Sequence, residues 1–285
     1  MNRKSSSIIN IRLFHNWVKR ELLNQSVSLL RSNNINEIAL LDLAVGKGGD
    51  MQKWYDNKIY KVVGFDIDEK SIIEAKKRYG QLVHQLKRKK VHKLPQYEFH
   101  VLDLSKPFNI PKIKTILGSR LFQIISCNFA IHYFFDKFES LDTLIKIVGN
   151  FIDSGGFFIG TTMDGGKLRD LFENQNRKIV ENTLFKIENQ MIKLNAPYGN
   201  LYTVDLGKAT DTEHYFAGNT SKEYLVDIEE LKNVCKGNKL ILIGTTEFQK
   251  WYNVYINNNS KNKLNDEEKA FSYLNFSFVF SAEIR

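Results

Sequence analysis

The run Gly46-Lys47-Gly48-Gly49-Asp50 is a stretch whose residue types and spacing could bind a ligand. It follows an apolar run, Ile38 to Val45, and precedes a segment, Met51 to Asp56, that starts a helix. Glycines at such a turn let the backbone approach a ligand closely. Asp66 stands 20 residues after Gly46, near the end of a second apolar run, Lys61 to Asp68. That is the spacing at which a carboxylate accepts hydrogen bonds from ribose hydroxyls. A dinucleotide fingerprint would read G-x-G-x-x-G and hold a pyrophosphate on the helix N-terminus. Here Asp50 stands where that anion would sit. An acidic rim repels pyrophosphate and tolerates a cationic sulfonium carrying an ammonium group, which favours S-adenosylmethionine (SAM) over NAD. The plain alternative is a tight turn with no ligand. Asp42 argues against it, since a carboxylate inside an apolar strand is expensive to bury unless paired. Asp103, ending a third expected strand, Tyr97 to Leu102, is placed either to accept from an adenine amine or to act as a helix N-cap in Asp103-Leu104-Ser105.

The elements needed to hold these residues are legible as periodicity. Residues 8–31 repeat apolar side chains at three- and four-residue steps and predict a helix. Strands are expected over 38–45, 61–68, 97–102, 121–126 and 156–162, with helices over 51–56, 69–79 and 141–151 between them. Alternating strand and helix predict an α/β class with a largely parallel sheet. Beyond Thr162 the pattern predicts a helix over 165–178, strands over 182–194 and 201–206, and a loop over 207–220. A helix over 222–232, a strand over 239–246, an Asn-rich loop over 257–266 and a final edge-region strand over 271–282 follow.

The 285 residues carry 41 Lys+Arg against 32 Asp+Glu, a net charge of +9. Eight of the cations fall between Ala75 and Tyr97: Lys76, Lys77, Arg78, Lys87, Arg88, Lys89, Lys90 and Lys93. The rest of the chain is close to neutral, so the charge is a property of one segment. Such a run is either a solvated helix end or a phosphate-contacting patch. Cys127 and Cys235 are too few for a disulfide framework and form no zinc spacing, so a reducing, intracellular compartment is expected. No apolar run reaches membrane-spanning length, and the N-terminus has no secretory core.

Four motifs carry a resemblance to the mRNA cap guanine-N7 methyltransferases. Phe14-His15-Asn16-Trp17-Val18-Lys19 resembles F-x-N-W-x-K, and Leu41 to Asp50 with Lys53-Trp54 resembles L-D-L-G-C-G-K-G-G-D-L-x-K-W. Ser126-Cys127-Asn128-Phe129-Ala130-Ile131-His132-Tyr133 resembles S-C-Q-F-A-x-H-Y, and Glu223-Tyr224-Leu225-Val226 resembles E-Y-L-V. The Lys/Asn/Ile-rich composition and Ala44-Val45 further resemble the methyltransferase domain of a large DNA virus capping enzyme, such as that of African swine fever virus.

The resemblance implies a class I SAM-dependent methyltransferase fold. Its sheet would be Rossmann-like, seven-stranded and largely parallel, with an antiparallel C-terminal strand. It implies one domain: an N-terminal helical extension (1–35), a SAM-binding core (36–162) and a cap-covering insert with C-terminal strands (163–285). Asn16, Lys19, Asp42, Gly46 and Asp50 would line the methionine end of SAM. Asp66 would hold the ribose, Asp103 and Leu104 the adenine, and Asn128 would replace the family's Gln. Phe129, His132 and Tyr133 would face the cap guanine, with Glu223 accepting from its N1 and N2 hydrogens and Tyr273 closing the pocket. Catalysis would rest on His132, Tyr133 and Glu223 without a metal, giving S-adenosylhomocysteine as by-product.

Lys53, Lys58, Lys76, Lys77, Arg78 and Lys87 to Lys90 are expected along the cap triphosphate and RNA. The implied partner is capped RNA, with no DNA specificity and no membrane. Guanylyltransferase or triphosphatase domains of the same polypeptide are further implied partners, although no Lys-x-Asp-Gly nucleophile motif occurs here. A viral chain would act in the virion and host cytoplasm, a cellular one in the nucleus. Two departures stand out: Met163 replaces the Pro after Gly-Thr-Thr, and Ala44 replaces Gly, narrowing the turn by a methyl. The rival readings are a small-molecule or protein methyltransferase, and a catalytically silent cap-binding or stimulatory subunit.

Overall fold

Leu40 and Leu41 are both fully buried although consecutive side chains on a strand point to opposite faces. Such a strand must be covered on both sides, as in a parallel sheet sandwiched by helices. The computed structural model has this arrangement; it describes residues 7–173, 178–191, 196–207, 220–258 and 261–284. In chain order the first half is α1 (Ile9–Ser32), β1 (Ala39–Leu43), α2 (Met51–Asp56), β2 (Lys61–Asp66), α3 (Glu69–Arg88), β3 (Gln96–Val101), α4 (Ile110–Leu117), β4 (Phe122–Asn128), α5 (Phe138–Phe151) and β5 (Ile152–Met163). The second half is α6 (Gly165–Glu173), β6 (Ile179–Glu181), β7 (Phe185–Met191), β8 (Leu201–Leu206), β9 (Ser221–Tyr224), α7 (Ile228–Gly237), β10 (Leu240–Glu247), α8 (Phe248–Asn258), α9 (Asp266–Ser272) and β11 (Asn275–Ala282).

Seven strands form the main sheet in the order β10-β11-β5-β4-β1-β2-β3. The five from β5 to β3 run parallel, and β11 lies antiparallel between β5 and β10. Leu41, Val63, Ile125 and Phe158 pack into one core cluster, while Leu40, Val62, Ile124 and Phe157 pack into another on the opposite face. A four-stranded antiparallel sheet, β6-β7-β8-β9, follows the core. A third cluster joins it to α1, α8 and α9 through Phe14, Ile187, Tyr202, Phe248, Tyr252 and Phe271.

Several expected elements differ. The helix expected to stop at Tyr79 continues to Arg88, burying Ile72, Ala75 and Leu86 along one face. Its start is fixed by Asp68, which accepts from the backbone N–H groups of Lys70 and Ser71. The helix expected over 222–232 is instead β9 followed by α7, whose N-cap is Asp227. The last strand is interior rather than at the edge, and Phe271 and Ser272 belong to α9, started by an Asn265–Glu268 capping box. Helices α4 and α8 were not anticipated, and α8 runs into the expected Asn-rich loop. Parts of the expected helix 165–178, strand 182–194 and loop 207–220 lie outside the described residues, at 174–177, 192–195 and 208–219.

Packing between β5 and its neighbours leaves no room at Gly160. A Cβ there would sit 2.2 Å from the Cys127 carbonyl oxygen and 2.3 Å from the Phe278 ring. Because the oxygen belongs to the paired backbone of β4, Gly160→Ala is expected to destabilise the protein by about 3 kcal/mol. Urea denaturation reads this directly; a loss below about 1 kcal/mol would mean that β5 shifts freely.

Candidate active site

Parallel strands deliver their C-terminal ends to one edge of the sheet, where α/β proteins bind ligands. Asp42 pairs in register with Gly64 of β2 and Ser126 of β4. Asp66 ends β2, Asn128 ends β4, and Asp103 follows β3 two residues beyond Val101. The glycine turn hooks back over the end of β2. Ala44 and Val45 both donate their N–H to the Phe65 carbonyl at 2.9 Å, and Gly46 N–H donates to Asp66 Oδ2 at 2.7 Å. Asp66 Oδ1 accepts from Asp68 N–H at 2.9 Å, so both carboxylate oxygens are oriented by backbone donors. Asp103 Oδ1 accepts from the N–H and hydroxyl of Ser105, a local turn rather than a helix N-cap. Leu104 is buried and sends its side chain into the core cluster beside Leu102.

Asp50 is the N-cap residue of α2, yet its carboxylate does not bond the helix N–H groups. It is gripped by two ammonium groups instead. Lys19, from α1, donates to Asp50 Oδ2 at 3.1 Å, and Lys53, one turn into α2, donates to Asp50 Oδ1. Lys53 also donates to Asn16 Oδ1 at 3.1 Å, and Asn16 itself is exposed. Burial opposes ionisation of Asp50, but the two cations outweigh it and hold its carboxyl well below the usual range. Asp42 behaves oppositely: burial, then the nearby charge of Asp50, push its carboxyl well above the usual range. The rim is therefore not simply acidic, as the sequence suggested. Two ammonium groups share one carboxylate, and burial with the Asp50 charge raises the pKa of the second. Lys53 is buried in this cluster, which corrects its expected place on the RNA triphosphate.

A second group of residues converges across the edge. A 3-10 turn, Ile131–Asp136, follows β4 and carries His132 and Tyr133. Glu223 is buried on β9, directly opposite Tyr202 of β8, whose hydroxyl donates to Glu223 Oε2 at 2.9 Å. His132 Nε2 lies 3.8 Å from the same carboxylate oxygen. Neither ring nitrogen of His132 has a hydrogen-bond partner, and burial lowers its pKa despite the nearby Glu223. A buried imidazole whose two nitrogens are otherwise unpaired can exchange hydrogen bonds with a polar ligand. The Tyr133 ring meets His132 edge-on at 4.2 Å, and its hydroxyl is 3.4 Å from Ser221 Oγ. Tyr133 is 46% exposed, so one side of this cluster opens to solvent. Asn128 Oδ1 accepts from the Thr161 hydroxyl at 3.3 Å.

Other expected site residues are placed differently. Phe129 adopts a left-handed backbone, φ 53°, and stacks its ring on His15 at 5.3 Å, joining the aromatic cluster of α1 and α8. Tyr273 is not in the C-terminal strand; it is the C-cap of α9, and its ring packs on Tyr252 at 5.9 Å. Lys76, Lys77 and Arg78 lie midway along α3, with Arg78 paired to Glu74 at 3.0 Å. Because α3 starts beside Asp66 and returns antiparallel to the strands, Lys87 to Lys90 lie at the amino edge, as does Lys58 before β2. That corrects their expected contact with the cap triphosphate. Sequence reasoning missed Tyr202 and the structural part of His15. Tyr202 stands in the expected strand 201–206, but only the β8–β9 register reveals its partner.

Fold and edge together define a class I methyltransferase, with a carboxyl edge lined by Asp42, Asp66, Asp103 and Asn128 and a second polar pocket beside it. A family model for the mRNA (guanine-N(7))-methyltransferase domain matches residues 1–274, and the chain belongs to that family. An mRNA cap guanine-N(7) methyltransferase of Caenorhabditis briggsae is 28% identical over 240 residues, covering 81% of this chain and 60% of that protein. That of Caenorhabditis elegans is 34% identical over 166 residues, covering 58% of this chain and 42% of the relative. That of Schizosaccharomyces pombe is 28% identical over 276 residues, covering 94% and 70%. The chain thus spans less than two thirds of the length of the first two relatives. Among solved structures, a SAM-dependent methyltransferase from Clostridium acetobutylicum superposes with a TM-score of 0.56 at 15% identity, over 95% of this chain and 92% of the other. The CcbJ methyltransferase from Streptomyces caelestis gives 0.56 at 11%, over 90% and 88%. These two likenesses concern the fold.

Two measurements test the geometry. Ala44 has φ 92°, a conformation that disfavours any Cβ. Ala44→Gly is therefore expected to stabilise the protein by about 0.5–1 kcal/mol, against the usual direction for Gly; equal or lower stability in urea would contradict the strain. His15 donates to or accepts from Ser272 Oγ at 3.0 Å, and burial followed by the Lys19 charge lowers its pKa from 6.5 to about 3. Unfolding exposes a histidine that takes a proton below pH 6.5, so stability is full above that value and falls as pH drops toward 3. The slope approaches about 1.4 kcal/mol per pH unit for one such group. His15→Phe should reduce the slope between neutral and mildly acid pH by about one proton, read by urea denaturation across that range; an unchanged slope would exclude His15 as the source.

Proposed function

We propose that this chain transfers a methyl group from SAM to N7 of the terminal guanosine of GpppRNA. The observation that carries the reading is the pocket of Glu223, Tyr202 and His132. A buried carboxylate, fixed by a tyrosine hydroxyl 2.9 Å away, faces an imidazole with no partner of its own. Guanine presents N1–H and N2–H₂ side by side, a donor pair that one carboxylate can accept. Adenine lacks that pair and would leave the buried acceptor unpaired.

The residues at the carboxyl edge suit SAM. The Lys19–Asp50–Lys53 cluster offers ammonium groups to the methionine carboxylate, while Asp42 offers an acceptor to the ammonium group. Asp66, with each oxygen already accepting one backbone N–H, keeps lone pairs for the ribose hydroxyls. Asp103 and Asn128 complete the edge on the adenine and methionine sides. SAM, when bound, supplies an electrophilic methyl on a sulfonium whose leaving group is a neutral thioether. Guanine N7 has an in-plane lone pair and no proton to lose, so no general base is required. The chain's task is alignment, which supplies up to roughly 7–11 kcal/mol in favourable cases. His132 and Tyr133 hold the guanine ring, and Tyr202 positions Glu223 rather than touching substrate.

Capped RNA is the proposed substrate, and guanylyltransferase or triphosphatase units of a longer polypeptide the proposed neighbours. We read the Lys/Asn/Ile-rich composition with Ala44-Val45 as favouring a large DNA virus source, with activity in virion and host cytoplasm; a cellular chain would act in the nucleus. The relatives found are eukaryotic and lend the viral reading no support. The decisive experiment is SAM-dependent methylation of GpppRNA with the product mapped to N7. Glu223→Ala should lower kcat/KM for GpppG about 100-fold or more, the worth of two hydrogen bonds to a charged group. Tyr202→Phe should lose about tenfold, the worth of one such bond, with SAM affinity unchanged by calorimetry. Full activity in Glu223→Ala would exclude guanine recognition at this pocket; absence of SAM binding in the wild type would instead favour a silent subunit.

A further inference from the structure

The amino edge of the main sheet, opposite the site, carries a cleft of about 1030 Å³ between the starts of β1, β2, β3 and β4. Five cations line it, Arg31, Lys58, Lys61, Lys93 and Arg120, against the carboxylates of Glu37 and Glu98. Arg120 is paired with Glu98 at 2.8 Å, and Arg31 donates to the Asn57 carbonyl at 2.7 Å, so both are held in place. Lys58 and Lys61 are exposed and have no carboxylate partner among the described residues. Lys93 Nζ stands 4.5 Å over the Tyr60 ring, which also lines the cleft. A half-buried aromatic among ammonium groups is the surface that single-stranded nucleic acid uses, phosphates on the cations and a base on the ring.

The cleft is connected to the site by α3. This helix has 20 residues and starts beside Asp66, so it spans ~30 Å from the carboxyl edge to the amino edge. Lys77, His84 and Arg88 share its outer face at seven- and four-residue steps and line a shallow groove there. Lys87, Lys89 and Lys90 are exposed at its end, and Lys93 of the cleft follows Lys90 by three residues. The cations that cannot reach the cap therefore form a line leading away from it.

We infer that the amino-edge cleft binds the body of the transcript, with the RNA strand descending α3 from the cap site and entering between Lys58, Lys61 and Lys93. This rests on the cap-methyltransferase reading, and a length threshold separates the two. At ~3.4 Å per stacked nucleotide, about nine nucleotides are needed to travel the length of α3.

The test compares wild type with the triple variant Lys58→Gln, Lys61→Gln, Lys93→Gln on three substrates: GpppG, a capped tetranucleotide and a capped RNA of about 25 nucleotides, well past the length α3 spans. The variant should raise KM about tenfold for the long RNA only. Its salt dependence for the long RNA should flatten by about two logarithmic units of slope, near 0.7 for each lost phosphate contact. GpppG turnover at the wild-type rate reports that the variant folds and that the catalytic edge is intact. Should the triple variant not fold, Lys61→Gln alone carries the same comparison, with a slope change of about 0.7. Equal KM on the long RNA for wild type and variant would overturn the inference. So would capture of a polyglutamate probe at this cleft with RNA affinity unaffected by the substitutions. If wild type fails to methylate GpppG, the functional reading fails by itself. Fluorescence anisotropy with an uncapped RNA of the same length then still decides the cleft: weaker binding by the variant supports it, and equal binding overturns it.

Discussion

The parallel register of β2, β1 and β4 is the constraint on which the rest depends. Asp42 lies opposite Gly64 and Ser126 because these strands pair in step. A slip of one residue in β1 would turn Asp42 to the opposite face and reverse Leu40 and Leu41, which are fully buried in different clusters. Hydrophobic burial on both faces thus fixes the position of a carboxylate that itself opposes burial. The same register sets where Asp66 stands, and through its hydrogen bond to Gly46 N–H it sets the shape of the glycine turn. Ligand-facing groups here are consequences of strand pairing more than of loop conformation.

Electrostatics at that edge are a matter of shared charge. Asp50 ties α1 to α2 through Lys19 and Lys53, so the N-terminal helix is part of the site and not an appendage. Removing Asp50 would leave two ammonium groups side by side without their shared carboxylate, the situation that costs most in a folded protein. The second pocket follows a different logic. His132 stays neutral because burial outweighs its neighbour Glu223, and its nitrogens remain unsatisfied. One pocket is organised by internal ion pairs, and the other keeps unmet hydrogen-bonding capacity at His132.

Much of this was legible in sequence, for identifiable reasons. β1 and β2 are largely apolar runs, and the glycine turn with Asp66 follows a local rule of spacing, so both could be read without contacts. Glu223 was found through its motif but expected at a helix start, whereas it lies on β9. A four-residue strand has too short a period to announce itself, and its existence depends on pairing with β8. Tyr202 escaped for the same reason: its role exists only across the register that sets it opposite Glu223. The resemblance puts Tyr273 in the expected final strand, but the Asn265–Glu268 capping box claims the preceding residues for a helix. Phe129 was assigned to the guanine pocket, yet its left-handed backbone brings the ring to His15.

The placement of charge shows how a linear count misleads. A segment that follows β2, the strand ending at Asp66, stands close to the expected ligand in sequence, but a crossover helix carries the chain back to the other edge before the next parallel strand can begin. In α3 that return takes 20 residues, and it separates Lys76 and Lys77 from Lys87 to Lys90 by about half the helix. Helix electrostatics favour the same arrangement, since cations are stabilised at a C-terminus and Glu69 occupies the first turn. A basic helix end therefore needs no ligand to explain it. What does need explanation is its continuation beyond the helix, where Lys93 covers Tyr60 and Lys58 and Lys61 stand exposed at the mouth of a cleft. Helix dipole interactions fade within a turn, so these three cations draw no stabilisation from α3. Lys58 and Lys61 have no carboxylate partner among the described residues, so a polyanion lying across the cleft can pair with them.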